Sequence, residues 1–183
     1  MAVDKVLLAA PRGFCAGVDI KELNADQSKI VAVNAGNYAT FKAVHRNKVP
    51  VIAAVHGFVL GGGIGICGAA DIIIAADTAS FGLPEIDRGA MGGAAHMQRM
   101  FGTQKTRYLF YTGEMMGAQE AYRLGAVERV VSEAELRDAA AAELSPAVSV
   151  GGSAQRSKAA AGTGNSFHAG FDASWEPDVF GRV

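Results

Sequence analysis

The chain has 183 residues, 50% of them hydrophobic, and a formal net charge of −1. This length can bury one sizeable core, and the small net charge provides no bulk electrostatic attraction for nucleic acid or an anionic membrane. No apolar run reaches the roughly 18 residues of a membrane span, and the first ten residues are too short and too weakly basic for a signal peptide. We therefore expect a cytoplasmic protein.

The first part of the chain predicts strands that alternate with helices. Apolar runs at residues 3–9 and 51–55 predict buried strands, and helical spacing of apolar residues between positions 30 and 44 predicts surface helices. A turn is expected at 12–17. A glycine run at 61–63 is expected to lead into a helix at 64–70.

The second part of the chain continues this alternation. Strands are predicted at 71–76, 79–81 and 127–131, a turn at 82–85, and helices at 94–101, 105–111, 118–124 and 133–144. The order favours an α/β fold with strands covered on both faces. Glycine, serine and alanine dominate from residue 145, so we treat 1–144 as the core domain and 145–183 as a separate, poorly readable segment.

Two glycine-bearing turns, at residues 14–19 and 57–63, follow apolar strands. Each can open a helix, and N–H groups at the start of a helix suit an oxygen that gains negative charge. Taken singly, each turn more often serves tight packing. A nucleotide-binding loop is the rival interpretation, but neither glycine-rich phosphate motif occurs in that setting.

Residues 12–22, 48–63 and 71–93 resemble, in order and spacing, the signature blocks of the crotonase, or enoyl-CoA hydratase/isomerase, superfamily. The resemblance extends from about residue 3 to about residue 144. It implies the crotonase fold of repeated ββα units, a homotrimer or hexamer, and an acyl-CoA thioester as substrate. Coenzyme A would be part of that substrate, with no other cofactor and no metal. By this resemblance, the backbone N–H groups of Val18 and Gly62 form an oxyanion hole for the thioester carbonyl.

Hydratases of this family place one catalytic glutamate two residues after the glycine triplet and a second in a Pro-Glu turn. Gly65 stands at the first position and Glu85 at the second. Proton transfer by an isomerase, or carbon–carbon hydrolysis of a cyclic acyl-CoA, fits one glutamate better than the two-carboxylate addition of water does. A non-catalytic acyl-CoA-binding or scaffold homologue is the alternative from another functional class.

Other residues in these blocks are candidates for substrate contact: Arg12, Ala16, Lys21, Gly61, Gly65, Pro84, Asp87, Gly93 and His96. Arg12 and Lys21 either meet coenzyme A phosphates or are solvated surface charges. Gly65 either permits close helix packing or leaves room for a ring-containing acyl group. Asp87 lies two residues from Glu85, so in extended backbone their side chains face opposite ways. His96 is a packing residue or, less often in such a setting, a base.

Both ends of the chain depart from the family pattern. Family members carry several strands and a helix before the first motif, but only eleven residues precede Arg12. Their C-terminal helices cover the site and support trimers, whereas 145–183 retains only hints of them. We expect the N-terminal strands and C-terminal helices to be incomplete here. Either the protein is truncated or divergent, or segments of a longer protein are missing from the sequence, and we favour the second explanation.

Overall fold

The computed structural model describes residues 6–7, 12–88, 92–143, 147–159 and 162–174. Its strands and α-helices are, in chain order, β1 (Val6–Leu7), α1 (Ile20–Ala25), α2 (Ile30–His45), β2 (Ile52–Val55), β3 (Phe58–Leu60), α3 (Gly62–Cys67), β4 (Ile72–Ala76), β5 (Ser80–Gly82), α4 (Ala94–Thr112), β6 (Met116–Gly117), α5 (Ala118–Arg123), β7 (Arg129–Val131), α6 (Leu136–Ala142), β8 (Ala147–Ala159) and β9 (Gly162–Ser174). Two short 3-10 helices occupy Gln27–Lys29 and Pro84–Arg88. Within the described residues, no helix combines the length and the apolar character needed to cross a membrane.

The main sheet is parallel and has the strand order β1-β2-β4-β7. Its two central strands, β2 and β4, are covered on both faces. Their successive side chains point to opposite faces and belong to two different buried clusters. Ala53 and Val55 belong to the larger cluster, while Ile52 and Ala54 belong to a smaller one that includes Leu136 of α6. The predicted α/β fold with buried parallel strands is confirmed.

A second sheet has the order β3-β5-β6, with β5 parallel to β3 and antiparallel to β6. Val59, Phe81 and Met116 from these strands join the larger buried cluster. The sequence-based prediction included β5 but missed β3 and β6. These strands have three and two residues, which is too short for a period-2 pattern to be distinguished.

The boundaries of two helical regions differ from the prediction. The helices expected at 94–101 and 105–111 form a single element, α4, which bends at Gly102, whose φ of 71° and ψ of 172° are not helical. The turn expected at 82–85 becomes the 3-10 helix Pro84–Arg88. Glu85 and Asp87 both lie in this helix, so the extended backbone assumed for them is wrong.

The C-terminal segment contains strands where remnants of helices were expected. β8 and β9 pair as an antiparallel hairpin in continuous register from Ala147 opposite Ser174 to Ala159 opposite Gly162. These residues are therefore not helical, and the origin of 145–183 as a remnant of the family's helical region stays a prediction. Glycine is about 1 kcal/mol less favourable than alanine inside a helix, which disfavours helix formation in such a glycine-rich stretch.

Candidate active site

The two glycine-bearing turns lie side by side, joined by backbone hydrogen bonds. The Phe14 N–H donates to His56 O at 2.8 Å, and the Cys15 N–H donates to Phe58 O at 3.0 Å. In return, the Leu60 N–H donates to Cys15 O at 2.8 Å. The first turn therefore runs along β3 like an added strand, which aligns residues 16–18 with the start of α3.

The two turns also come close to each other at Gly17 and Gly61. A Cβ atom on Gly61 would lie 3.3 Å from Gly17 Cα, and one on Gly17 would lie 3.5 Å from the Gly62 nitrogen. Both glycines have positive φ, at 90° and 49°, a region that side chains disfavour. Glycine is needed at both positions, and the contact brings Val18 and Gly62, the two predicted oxyanion donors, onto adjoining segments.

The carboxylate of Glu85 lies against the same turn. A Cβ atom on Gly61 would be 2.7 Å from Glu85 Oε1, so the bare backbone of Gly61 makes room for the carboxylate. Glu85 Oε2 is buried and has no hydrogen-bond partner among the described residues. Burial raises the pKa of Glu85, and a hydrogen bond with its own backbone lowers it by a smaller amount. A half-buried carboxyl group with a raised pKa is suited to general acid/base chemistry.

The space beside Gly65 is occupied by an aromatic ring from α2. A Cβ atom on Gly65 would overlap the ring of Phe41. The Phe41 ring in turn meets His96 edge to face, with ring centroids 4.7 Å apart. These contacts favour close packing over extra room as the reason for glycine at position 65.

His96 lies at the start of α4 with its Nδ1 atom buried and without a hydrogen-bond partner among the described residues. Burial lowers the pKa of His96, and the neighbouring charges of Arg99 and His45 lower it further. The imidazole is therefore favoured in its neutral form. In that form it can donate or accept a hydrogen bond without adding charge to the site.

The remaining candidate residues divide between the site and the surface. A Cβ atom on Gly93 would lie 3.8 Å from Gly61 O, so Gly93 borders the same turn, and Pro84 starts the 3-10 helix that carries Glu85. Ala16, Arg12 and Lys21 are exposed, and no described side-chain contact joins them to Glu85. The Asp87 backbone lies in the 3-10 helix. Among the described residues, no group of three or more potential ligands could hold a metal ion.

The sequence matches the family model described as enoyl-CoA hydratase/isomerase over residues 3–156. The chain belongs to this family. The predicted membership of the crotonase superfamily is thus confirmed, and the matched region extends past the boundary expected at residue 144. Solved structures of family members have the same fold. An enoyl-CoA hydratase from Bacillus anthracis aligns with a TM-score of 0.71 at 34% identity, covering 76% of this chain and 57% of that one.

Two family relatives carry the same name, (7aS)-7a-methyl-1,5-dioxo-2,3,5,6,7,7a-hexahydro-1H-indene-carboxyl-CoA hydrolase. The one from Mycobacterium tuberculosis is 45% identical over 74% of this chain and 56% of its own length. The one from Rhodococcus jostii is 47% identical, with 74% and 53% covered. A probable enoyl-CoA hydratase from Mycobacterium bovis, echA8, is 42% identical, with 72% and 52% covered. The chain spans about half the length of these curated relatives.

Sequence reasoning missed two residues of the site, Phe41 and Cys15. Phe41 counted only as one apolar position of a surface helix, and no pattern in a single sequence pairs it with a glycine 24 positions later. The Cys15 Sγ atom accepts a hydrogen bond from the Gly17 N–H at 3.4 Å and would lie 3.9 Å from a Cβ atom on Gly62. Its position within a glycine-bearing turn was the one available signal.

Proposed function

We propose that this protein is an acyl-CoA enzyme in which the backbone N–H groups of Val18 and Gly62 hold the thioester oxygen and Glu85 transfers protons. The observation that carries this proposal is the contact of Glu85 Oε1 with Gly61, the residue directly before Gly62. It sets an acid/base group beside the turn that would stabilise the anion. Each such donor contributes about 2.7–4 kcal/mol of transition-state stabilisation in comparable sites.

The reaction that we favour is hydrolytic opening of a ring in a cyclic acyl-CoA. Two relatives at 45% and 47% identity are named as hydrolases of a bicyclic, ketone-bearing acyl-CoA. Of the two positions that carry glutamate in a hydratase of the family, this chain has glutamate at 85 and glycine at 65, and the Phe41 ring lies against Gly65. A single acid/base next to an oxyanion hole is sufficient for this chemistry.

In the proposed reaction, the substrate has a ring ketone attached to the carbon next to the thioester carbonyl. Glu85 accepts a proton from water while the water oxygen bonds to the ketone carbon. The bond between that carbon and the α-carbon then breaks, and its electron pair forms the thioester enolate, which the Val18 and Gly62 N–H groups stabilise. Glu85 returns the proton to the α-carbon. The product is a ring-opened carboxylic acid still joined to coenzyme A.

A second candidate is proton transfer or addition of water on an enoyl-CoA. It is favoured by the 42% identity with the probable enoyl-CoA hydratase of Mycobacterium bovis. One glutamate can move a proton between two carbons of a thioester enolate, so an isomerase needs no further carboxylate. The two reactions have different substrates, since ring opening needs a ketone and isomerisation needs a carbon–carbon double bond.

Turnover with three probes tests these alternatives. The chain is incubated separately with 2-oxocyclohexanecarbonyl-CoA, cyclohexenecarbonyl-CoA and crotonyl-CoA. Products are followed by release of free thiol and by liquid chromatography with mass spectrometry, which also separates isomers of equal mass. Ring opening adds the mass of one water to the keto substrate and releases no thiol. Thiol release indicates thioester hydrolysis instead, and conversion of the enoyl probes alone supports the second candidate. Binding of all three without any conversion would remove the enzyme proposal in favour of a scaffold.

The assembly and location are further proposals. Family resemblance supports a homotrimer or hexamer in the cytoplasm that needs no metal or redox cofactor. Light scattering of the purified chain tests the assembly, and a monodisperse monomer would refute it. Turnover that survives dialysis against a chelator is expected if no metal takes part.

A further inference from the structure

We propose that Phe41 is a specificity-determining residue whose ring forms one wall of the acyl pocket and selects a cyclic acyl group over a straight chain. This inference deepens the proposed function and rests on it, because it assumes that the thioester is held at Val18 and Gly62. No motif in the sequence marks Phe41. Its assignment depends on where the ring lies relative to α3.

Two side chains border the start of α3 and its next turn. Gly61 and Gly65 are one helical turn apart, and the Gly65 N–H donates to Gly61 O at 3.2 Å. The Glu85 carboxylate lies against Gly61, and the Phe41 ring lies against Gly65. One turn of α-helix rises about 5.4 Å. The acid/base group and the aromatic ring therefore border neighbouring stretches of the same helix, next to the proposed donor Gly62.

The Phe41 ring is held by a contact with α4. None of the 16 residues of α2 is fully buried, but Phe41 is half-buried, and its ring meets His96 at a centroid distance of 4.7 Å and an interplanar angle of 61°. Edge-to-face geometry is a favourable arrangement for two rings. The contact links α2 to α4 across the surface of α3. Phe41 is thus a positioned ring, unlike Tyr38 on the same helix, which is 67% exposed.

Polar side chains lie on either side of the Phe41 ring. Two buried polar atoms that lack partners among the described residues, Glu85 Oε2 and His96 Nδ1, belong to the side chains at the two ends of this surface. Buried polar atoms are normally hydrogen-bonded, so such atoms are often found at sites that receive a ligand. An apolar wall between two polar groups suits a compact apolar ring that carries oxygen substituents.

A cyclic and a straight acyl group differ in how well they bind against an aromatic ring. A straight acyl chain loses the freedom of several rotatable bonds when it is held against a wall, whereas a ring of the same carbon number has little such freedom to lose. A flat aromatic face also offers a rigid ring a large contact area. Both effects favour a cyclic acyl group at Phe41.

Binding of unreactive ligands tests the proposal without requiring turnover. Cyclohexanecarbonyl-CoA and heptanoyl-CoA have the same number of acyl carbons, and neither has a ketone or double bond on which the proposed reactions could act. Calorimetry with the full chain should show tighter binding of the cyclic ligand. Phe41→Ala should weaken cyclic binding at least about tenfold, reduce the preference over heptanoyl-CoA and leave affinity for free coenzyme A unchanged.

Tyr38→Ala is the matched control, because it removes an exposed aromatic ring from the same helix and should preserve the preference. Phe41→Leu keeps an apolar side chain, so it should fold and show a smaller loss; it decides the question if Phe41→Ala does not fold. Equal binding of the two ligands by the unaltered protein, or an equal loss for both ligands and coenzyme A in the Phe41 variants, would overturn the proposal.

The outcomes also separate this inference from the proposed function. If Phe41 determines the preference but the keto ring substrate is not converted, the subsite stands and the hydrolase proposal fails. If the substrate is converted and the preference does not depend on Phe41, the hydrolase proposal stands and the subsite fails.

Discussion

The contact between Gly65 and Phe41 leads to a prediction that depends on packing alone. Gly65→Ala places a methyl group where the Phe41 ring lies, so the ring or helix α2 must move. Overpacking of this kind typically costs about 1–3 kcal/mol. Alanine is about 1 kcal/mol more favourable than glycine inside a helix. Gly65 lies in α3 and does not have positive φ, so the alanine variant should gain this helix stabilisation. The net change should be a loss of stability of about 0–2 kcal/mol.

The sign should reverse when the ring is removed. In a Phe41→Ala background the collision is absent, so adding Gly65→Ala should stabilise the protein by up to about 1 kcal/mol. Urea unfolding of the four proteins in this double-mutant cycle should give a coupling energy of about 1–3 kcal/mol. Circular dichroism before unfolding establishes that each variant has the same secondary structure. A coupling energy near zero would refute the contact, because the two substitutions would then act independently.

The remaining predictions concern Glu85 and Gly62. Glu85→Gln should lower kcat about 10²–10⁴-fold with unchanged acyl-CoA affinity in calorimetry, whereas Glu128→Gln, at an exposed position, should change neither. Burial raises the pKa of Glu85, so its contribution to stability is present at low pH and lost as pH rises through the folded-state pKa. Urea unfolding should therefore show Glu85→Gln gaining stability relative to the unaltered protein as the pH rises above 4.5, the ordinary pKa of this carboxyl group; a pH-independent difference would contradict this. Gly62→Pro deletes a proposed donor and should abolish turnover, and a folded, active variant would exclude the oxyanion assignment.

The sequence by itself was sufficient for the fold class and the family. Continuous apolar runs at 51–55 and 71–76 predicted buried strands, and the structure places β2 and β4 within them, covered on both faces. A strand buried on both faces is apolar at nearly every position, so a continuous apolar run in the sequence predicts it directly.

The sequence also predicted some of the close backbone contacts, from the positions of its glycines. Glycines at 17 and 61 predicted close backbone approaches, and in the structure they meet each other at positive φ. The prediction that Glu85 belongs with them came from family resemblance, since a carboxylate after a proline is otherwise an ordinary turn residue. Its contact with Gly61 became visible only in three dimensions.

Tertiary structure alone decided what lies beside each position. Apolar periodicity predicted a surface helix at α2, and no residue of this helix is fully buried in the described structure, but periodicity did not show that Phe41 packs on Gly65 and His96. The strands β3 and β6 were likewise not predicted from the sequence, because such short segments become strands only by pairing with β5, which is distant in the chain. Periodicity predicts which face of a helix or strand is apolar. It does not predict which segment packs against that face, because that segment is distant in the sequence.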